Sequence, residues 1–190
     1  MGRPREFDED AVLDAVMRQF HERGYHATAL SNLVGATGLH KGSLYGAFGD
    51  KHSLFVIVLL RYADHRLELL DTDLAAATTP LAGIRDYLLR QANEAVGGRG
   101  CLLANSALEL LPGDQDVERI VSRQHERVQG RLASALDRAR VAGDMSGDAQ
   151  SAPMARYLFT IVEGLWELGR ATEDAALLEG IVDVAMGSIA

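Results

Sequence analysis

Several things are scarce in these 190 residues, and most of the scarcities exclude something. The only cysteine is Cys101, so no intrachain disulfide can form. There are also too few thiolates for a structural zinc site or an iron–sulfur cluster, which points to a reducing cytoplasm. Four prolines and 6% aromatics, beside 47% apolar and 24% charged residues, exclude a collagenous, low-complexity or disordered chain. The longest aliphatic and aromatic run, Leu54 to Leu60, falls far short of the ~20 residues that cross a bilayer, so no membrane partner is expected. The N-terminus goes from basic to acidic with no apolar stretch behind it, unlike a secretory signal. Lysine is nearly missing, with only Lys41 and Lys51, and the arginine bias reads as GC-rich coding rather than as a functional choice.

The net charge of −8 argues against a nucleic-acid partner until its distribution is considered. Between Arg23 and Arg61 only Asp50 opposes four cations, and both lysines lie there beside His26, His40 and His52. The surplus acid sits before Arg23 and after Arg61.

Periodicity predicts helices throughout. Asp8 caps a first helix over about residues 9–23, with Val12, Leu13, Val16, Met17 and Phe20 on one face. Thr28 reads as the cap of a short second helix ending near Gly38. A short third helix follows at once over His40 to Phe48, and a long one runs from Lys51 to about Leu74. Two short helices across a tight glycine turn make a helix-turn-helix, whose second helix enters a major groove. Five more helices follow, over about 80–96, 101–111, 114–141, 152–171 and 174–188, with a loop over Gly143 to Asp148. No alternating strand and no phosphate-binding glycine loop is present, so the fold class is all-α with about nine helices. The chain divides naturally near the end of the long fourth helix.

The pattern Gly24-Tyr25-x-x-Thr28, then Leu33, Gly38-Leu39-x-Lys41-Gly42-Ser43-Leu44-Tyr45, Phe48, Lys51 and Leu54 resembles the TetR/AcrR family of transcriptional regulators. The resemblance covers about residues 7–60. It implies a homodimeric repressor with an N-terminal three-helix DNA-binding domain over residues 1–50, and a C-terminal domain over residues 51–190 that binds a small molecule and dimerises through its last two helices. Two positions depart from the pattern. His40 stands where serine often caps the recognition helix, so either the cap is weaker or the imidazole itself meets phosphate. Gly46 stands where the family often has histidine or an aromatic, which removes a groove contact and costs ~0.5–1 kcal/mol of helix stability against alanine.

Double-stranded DNA carrying a near-palindromic operator is the expected partner, and the expected contacts follow from chemistry. Lys41 and Lys51, each opening a helix, suit phosphates, with the amide of Gly42 and its neighbours adding donors. Ser43 suits a base edge or phosphate, and Tyr45 suits sugar or thymine methyl. Thr28 is expected at the backbone, and Arg3-Pro4-Arg5 forms a stiff basic arm for a narrow minor groove.

In the second half Cys101, Asn105 and Glu109 recur every four residues, aligning thiol, amide and carboxylate on one helix stripe. A thiol after a glycine-rich loop at a helix start is placed where its pKa tends to fall, the setting of an electrophile or redox switch. The alternative is a buried small hydrophobe. Tyr87, His125, Tyr157, Phe159, Glu163 and Trp166 complete the candidates for a small, partly hydrophobic organic effector. The last two helices carry more apolar surface than one stripe needs, which a second copy would cover. No metal-ligand pair, nucleophile elbow or cofactor loop supports a helical enzyme, and no cofactor is expected. An adaptor that keeps the fold but no longer reads DNA is the nearer alternative.

Overall fold

The structure is a computed structural model that describes residues 7–145 and 150–189. Arg3 and Arg5 lie outside the described residues, as does part of the loop expected over 143–148. Nine helices and no strand are found among the described residues: α1(Glu9–Arg23), α2(Leu30–Thr37), α3(Lys41–Phe48), α4(Lys51–Ala76), α5(Pro80–Ala95), α6(Leu102–Leu110), α7(Gln115–Ala142), α8(Ser151–Gly169) and α9(Ala175–Gly187).

Helix starts are set largely by short polar side chains that take the first free amides. The Asp8 carboxylate accepts from the Asp10 and Ala11 amides at 3.0 and 3.2 Å. Asp50 accepts from Ser53 at 2.8 Å, Thr79 from Ala82 at 3.2 Å, and Asp174 from Leu177 at 3.2 Å. The α2 start corrects the sequence reading. Thr28 is fully buried, and its hydroxyl donates to the carbonyl of Gly24 at 2.6 Å instead of capping. Ala29 takes the cap position, and the Asn32 side chain reaches back to accept its amide at 2.9 Å. Thr28 therefore locks the α1–α2 turn from inside and has no surface to offer a duplex.

Helices α1 to α3 close over the first half of α4. Val12, Val16 and Phe20 from α1, Leu33 from α2, and Leu44 and Phe48 from α3 meet Leu54, Phe55 and Val58 of α4. Phe20, 1% exposed, packs edge-on to Phe55 with ring centroids 4.9 Å apart. Burying such a ring stabilises by roughly 1.5–3 kcal/mol relative to leaving it in water. Between α2 and α3, Gly38 adopts φ 68°, ψ 3°, a left-handed conformation that a side chain would disfavour, and its amide closes on the Val34 carbonyl at 3.0 Å. That turn sets α3 against α2 and α4 while leaving its other side in solvent.

The long α4 carries the chain into the second layer, where its later turns pack on α5 and α7. Helices α5, α7 and α8 pack on one another, with α9 against α5 and α8 and the short α6 against α4 and α7. Leu70, Ile84, Leu88, Leu132, Leu136, Leu158, Leu165, Leu178 and Val182 are its fully buried centre. No helix of the described residues is long and apolar enough to cross a membrane.

Candidate DNA-binding face and effector cavity

Leu44 and Phe48 fix α3 to the core, so Lys41, Gly42, Ser43 and Gly46 are left exposed on the opposite side. A Cβ built on Gly42 or Gly46 would meet nothing within 4 Å, so this side of the helix is bare and unobstructed. His40 makes no side-chain cap; its carbonyl accepts from Ser43 and Leu44 at 3.0 Å each, and its ring is left exposed. Tyr45 is half-buried, and desolvation, followed by the Asp50 charge, raises its hydroxyl pKa. Lys51 lies in the first turn of α4 with its ammonium 4.5 Å over the Tyr25 ring, which holds this cation beside the exposed end of α3.

Three polar ties join this head to α6 and the loops flanking it. The Glu109 carboxylate accepts from the amides of Tyr25 at 2.8 Å and His26 at 2.6 Å, in the α1–α2 turn. Gly24 makes room for it: a Cβ there would lie 2.7 Å from a Glu109 oxygen. His21 of α1 bonds through Nε2 to the Gly100 carbonyl at 2.7 Å, and burial lowers the pKa of that ring. His52 of α4 meets Asp114, the cap of α7, at 2.7 Å. Burial works to raise the Asp114 carboxyl, but the Val117 amide and His52 together outweigh it and leave it below the ordinary range.

His52, Asp114 and Asp116 also form the one grouping of three metal-ligating side chains found among the described residues. Its groups are spent on protein partners: Asp114 on His52 and on the Asp116 and Val117 amides, and Asp116 on Arg119.

On its other side α6 faces α7 and α8 across a cavity of about 250 Å³, lined by Cys101, Asn105, Leu108, His125, Glu163 and Trp166 among others. The His125 and Phe159 rings stand 4.8 Å apart, and burial lowers the pKa of His125. Trp166 donates to Gln91 at 3.1 Å, and Arg66 covers that indole at 5.3 Å while bonding Gln91 and Glu94. Gln91 Nε2 is the buried side-chain atom left without a partner among the described residues. Glu163 has neither a hydrogen bond nor an ion pair among the described residues, and burial raises its pKa.

Two parts of the chain match known families. Residues 12–57 match "Bacterial regulatory proteins, tetR family", and residues 77–184 match "Tetracyclin repressor-like, C-terminal domain". The chain belongs to the TetR family. It is 30% identical over 98% of both chains to the uncharacterised HTH-type transcriptional regulator YezE of Bacillus subtilis. It is 29% identical to the HTH-type transcriptional repressor ComR of Escherichia coli, over 97% of this chain and 88% of that one. A cysteine mutant of the TetR family regulator CifR, solved with 26-bp double-strand operator DNA, superposes with a TM-score of 0.84 at 26% identity over the whole of both chains. The reduced form of Escherichia coli NemR shares the fold, with a TM-score of 0.84 at 21% identity over 95% of this chain and 96% of that one. As a TetR-family chain this is a helix-turn-helix transcriptional regulator that pairs as a homodimer, binds DNA and answers to an effector.

An apolar face suited to such pairing runs along α8 and α9, where Tyr157, Leu168, Leu177 and Val184 are 39, 46, 47 and 73% exposed. Gly164, Gly180 and Gly187 have open space at their Cβ positions, whereas Gly169 is committed inside the chain against Ala95.

The nine residues expected at the effector site divide. Cys101, Asn105, His125, Glu163 and Trp166 line one cavity, with Phe159 packed behind His125. Three do not join them. Tyr87 is a buried core residue under Arg90, Glu109 is spent on the α1–α2 turn, and Tyr157 faces outward beside Pro153 and Met154. Of the two readings of Cys101, its surroundings match the buried small hydrophobe and not the activated thiolate. The thiol is buried and receives the Tyr62 hydroxyl at 3.8 Å, and desolvation pushes its pKa up rather than down. Sequence reasoning missed Arg66 and Gln91. The one available signal was a polar residue on the apolar stripe Ile84, Leu88, Gln91, Ala95 of α5.

Proposed function

We propose that this regulator is a repressor, released from a near-palindromic operator by a small organic effector that enters the α6–α7–α8 cavity. The observation that carries this is the exposed, unobstructed outer side of α3, flanked by Lys41 and Lys51, in a chain of this family. Lys41 and Lys51 neutralise phosphates, Ser43 meets a base edge or phosphate, and the bare Gly42 and Gly46 let the helix backbone approach the groove closely. Tyr45 contributes its exposed portion, and the exposed His40 ring at the start of the helix is offered to a phosphate. In this division residues 1–50 read DNA and residues 51–190 bind effector and partner. Two copies place two α3 helices on successive major grooves, roughly 34 Å apart or a multiple of that.

Release is a population shift. An occupant of the cavity moves α6, and α6 carries the Glu109 tie, so the head changes its angle relative to the rest of the chain. The relatives are regulators, and we assign this chain no enzymatic step and a place in the cytoplasm. A gel shift against the chain's own upstream intergenic DNA, with excess nonspecific competitor, tests the assignment. A discrete complex that survives competitor is expected. Loss of all binding under competitor would favour the adaptor that no longer reads DNA.

A further inference from the structure

We propose that the α6–α7–α8 cavity selects a small organic amine, cationic at neutral pH, whose nitrogen pairs with Glu163. This rests on reading the cavity as the effector site. Three observations on the site point to that chemistry. Glu163 is a largely buried carboxyl on the cavity wall with no hydrogen bond or ion pair among the described residues; burial disfavours its charge, and an arriving cation is the partner that would restore it. Neither neighbouring cation pairs with it: Arg66 is spent on Glu94 and Gln91 behind the Trp166 ring, and Arg170, also on the cavity wall, is turned to the Asn105 side-chain oxygen at 2.6 Å. Leu108, Trp166 and the His125 ring supply apolar and aromatic wall that suits a flat hydrocarbon body, and Glu167 adds a second carboxylate to the lining beside Arg170.

Size and donor geometry narrow the class further. About 250 Å³ holds roughly eight waters at ~30 Å³ each, which fits a single-ring molecule and nothing much larger. A bound metal ion is a poor fit, because Cys101, His125 and Glu163 do not converge to ligating distance among the described residues. An organic anion would have to sit beside two carboxyl groups, Glu163 and Glu167, with Arg170 alone to offset them.

The test uses three probes of matched shape, benzylamine, benzyl alcohol and benzoate, titrated into the full-length homodimer at pH 7.5. Trp166 is the only tryptophan, and its emission reports occupancy of this cavity directly. Saturable binding is expected for benzylamine, at least tenfold tighter than for benzyl alcohol, with none for benzoate. Glu163→Gln is expected to bring amine and alcohol within about threefold of each other while the alcohol still binds. Equal or better binding of the alcohol or of benzoate by the unmodified protein, an absence of saturable amine binding, or a Glu163→Gln protein that keeps the full amine preference would each overturn the proposal. The unmodified protein decides the matter even if the variant does not fold. No DNA enters this experiment, so a negative result leaves the operator assignment standing, and loss of operator binding leaves the amine result standing.

Discussion

The two sides of α6 treat a carboxylate in opposite ways. Toward the head, Glu109 is fully spent on two backbone amides, with the His21–Gly100 and His52–Asp114 contacts beside it. Toward α7 and α8, Glu163 faces a cavity with no partner at all among the described residues. A satisfied polar contact in a partly buried place fixes a distance, whereas an unsatisfied one stores a preference for something yet to arrive. The difference makes α6 a rigid connection on one side and a receptive surface on the other. Glu109 ties the head to the effector half.

The largest effect that would break this contrast comes from the tied side. Glu109→Ala removes an acceptor from two amides, each charge-assisted bond being worth about 1.5–3 kcal/mol. At about 2–4 °C per kcal/mol for a chain of this size, a melting temperature lower by roughly 6 °C or more is expected. Operator affinity should fall with it, measured by anisotropy of labelled DNA. Glu163→Gln should do the reverse at pH 7.5. The native state favours the protonated carboxyl, so between the unfolded value near 4.5 and the higher folded one the native chain binds more protons, and stability is lost as pH rises. The glutamine variant should therefore melt higher than the unmodified protein at pH 7.5, with the difference vanishing below pH 4.5.

Lys41→Ala sharpens the outward side. It should weaken binding to specific and nonspecific duplexes alike and flatten the plot of log affinity against log salt by about one unit. An unchanged slope would remove Lys41 from the phosphate contacts.

Acidification probes the same joint more gently. The His21 ring is lowered in the folded chain, first by burial, so below pH 6.5 the unfolded chain takes up a proton that the native one refuses. Stability should fall as pH drops from 7 through 6 and on toward the folded value, and chemical denaturation at stepped pH reads it. His125, also lowered by burial, adds to the same trend, and His21→Gln should remove part of it. The smallest effect concerns Cys101. Its buried thiol should react with a disulfide reagent far more slowly in the native protein than in denaturant, and Cys101→Ala should leave operator affinity nearly unchanged.

Element boundaries were legible because each helix buries one face and most open on a short polar cap, so the apolar spacing and the aspartates Asp8, Asp50 and Asp114 mark them. Thr28 misled because its hydroxyl had two backbone options and took the preceding carbonyl of Gly24. The outward residues of α3 were legible for the same periodic reason: Leu44 and Phe48 go in, so Lys41, Gly42, Ser43 and Gly46 go out. The cavity was only partly legible. Cys101, Asn105 and Glu109 do share a stripe, but eight residues of helix advance about 12 Å, enough for the stripe to leave one neighbour and reach another. Nothing local tells Tyr157 from Trp166 on α8. Which side of that helix meets α6 and which meets open space is decided by the packing of the whole bundle.

Backbone amide exchange at Tyr25 and His26, followed residue by residue by NMR in the unmodified protein and in Glu109→Ala, tests the tie most directly. Slow exchange in the first and fast exchange in the second is the expected result. Fast exchange of both amides in the unmodified protein would mean that the carboxylate does not hold the turn, and the coupling of cavity to DNA-reading head through α6 would be wrong.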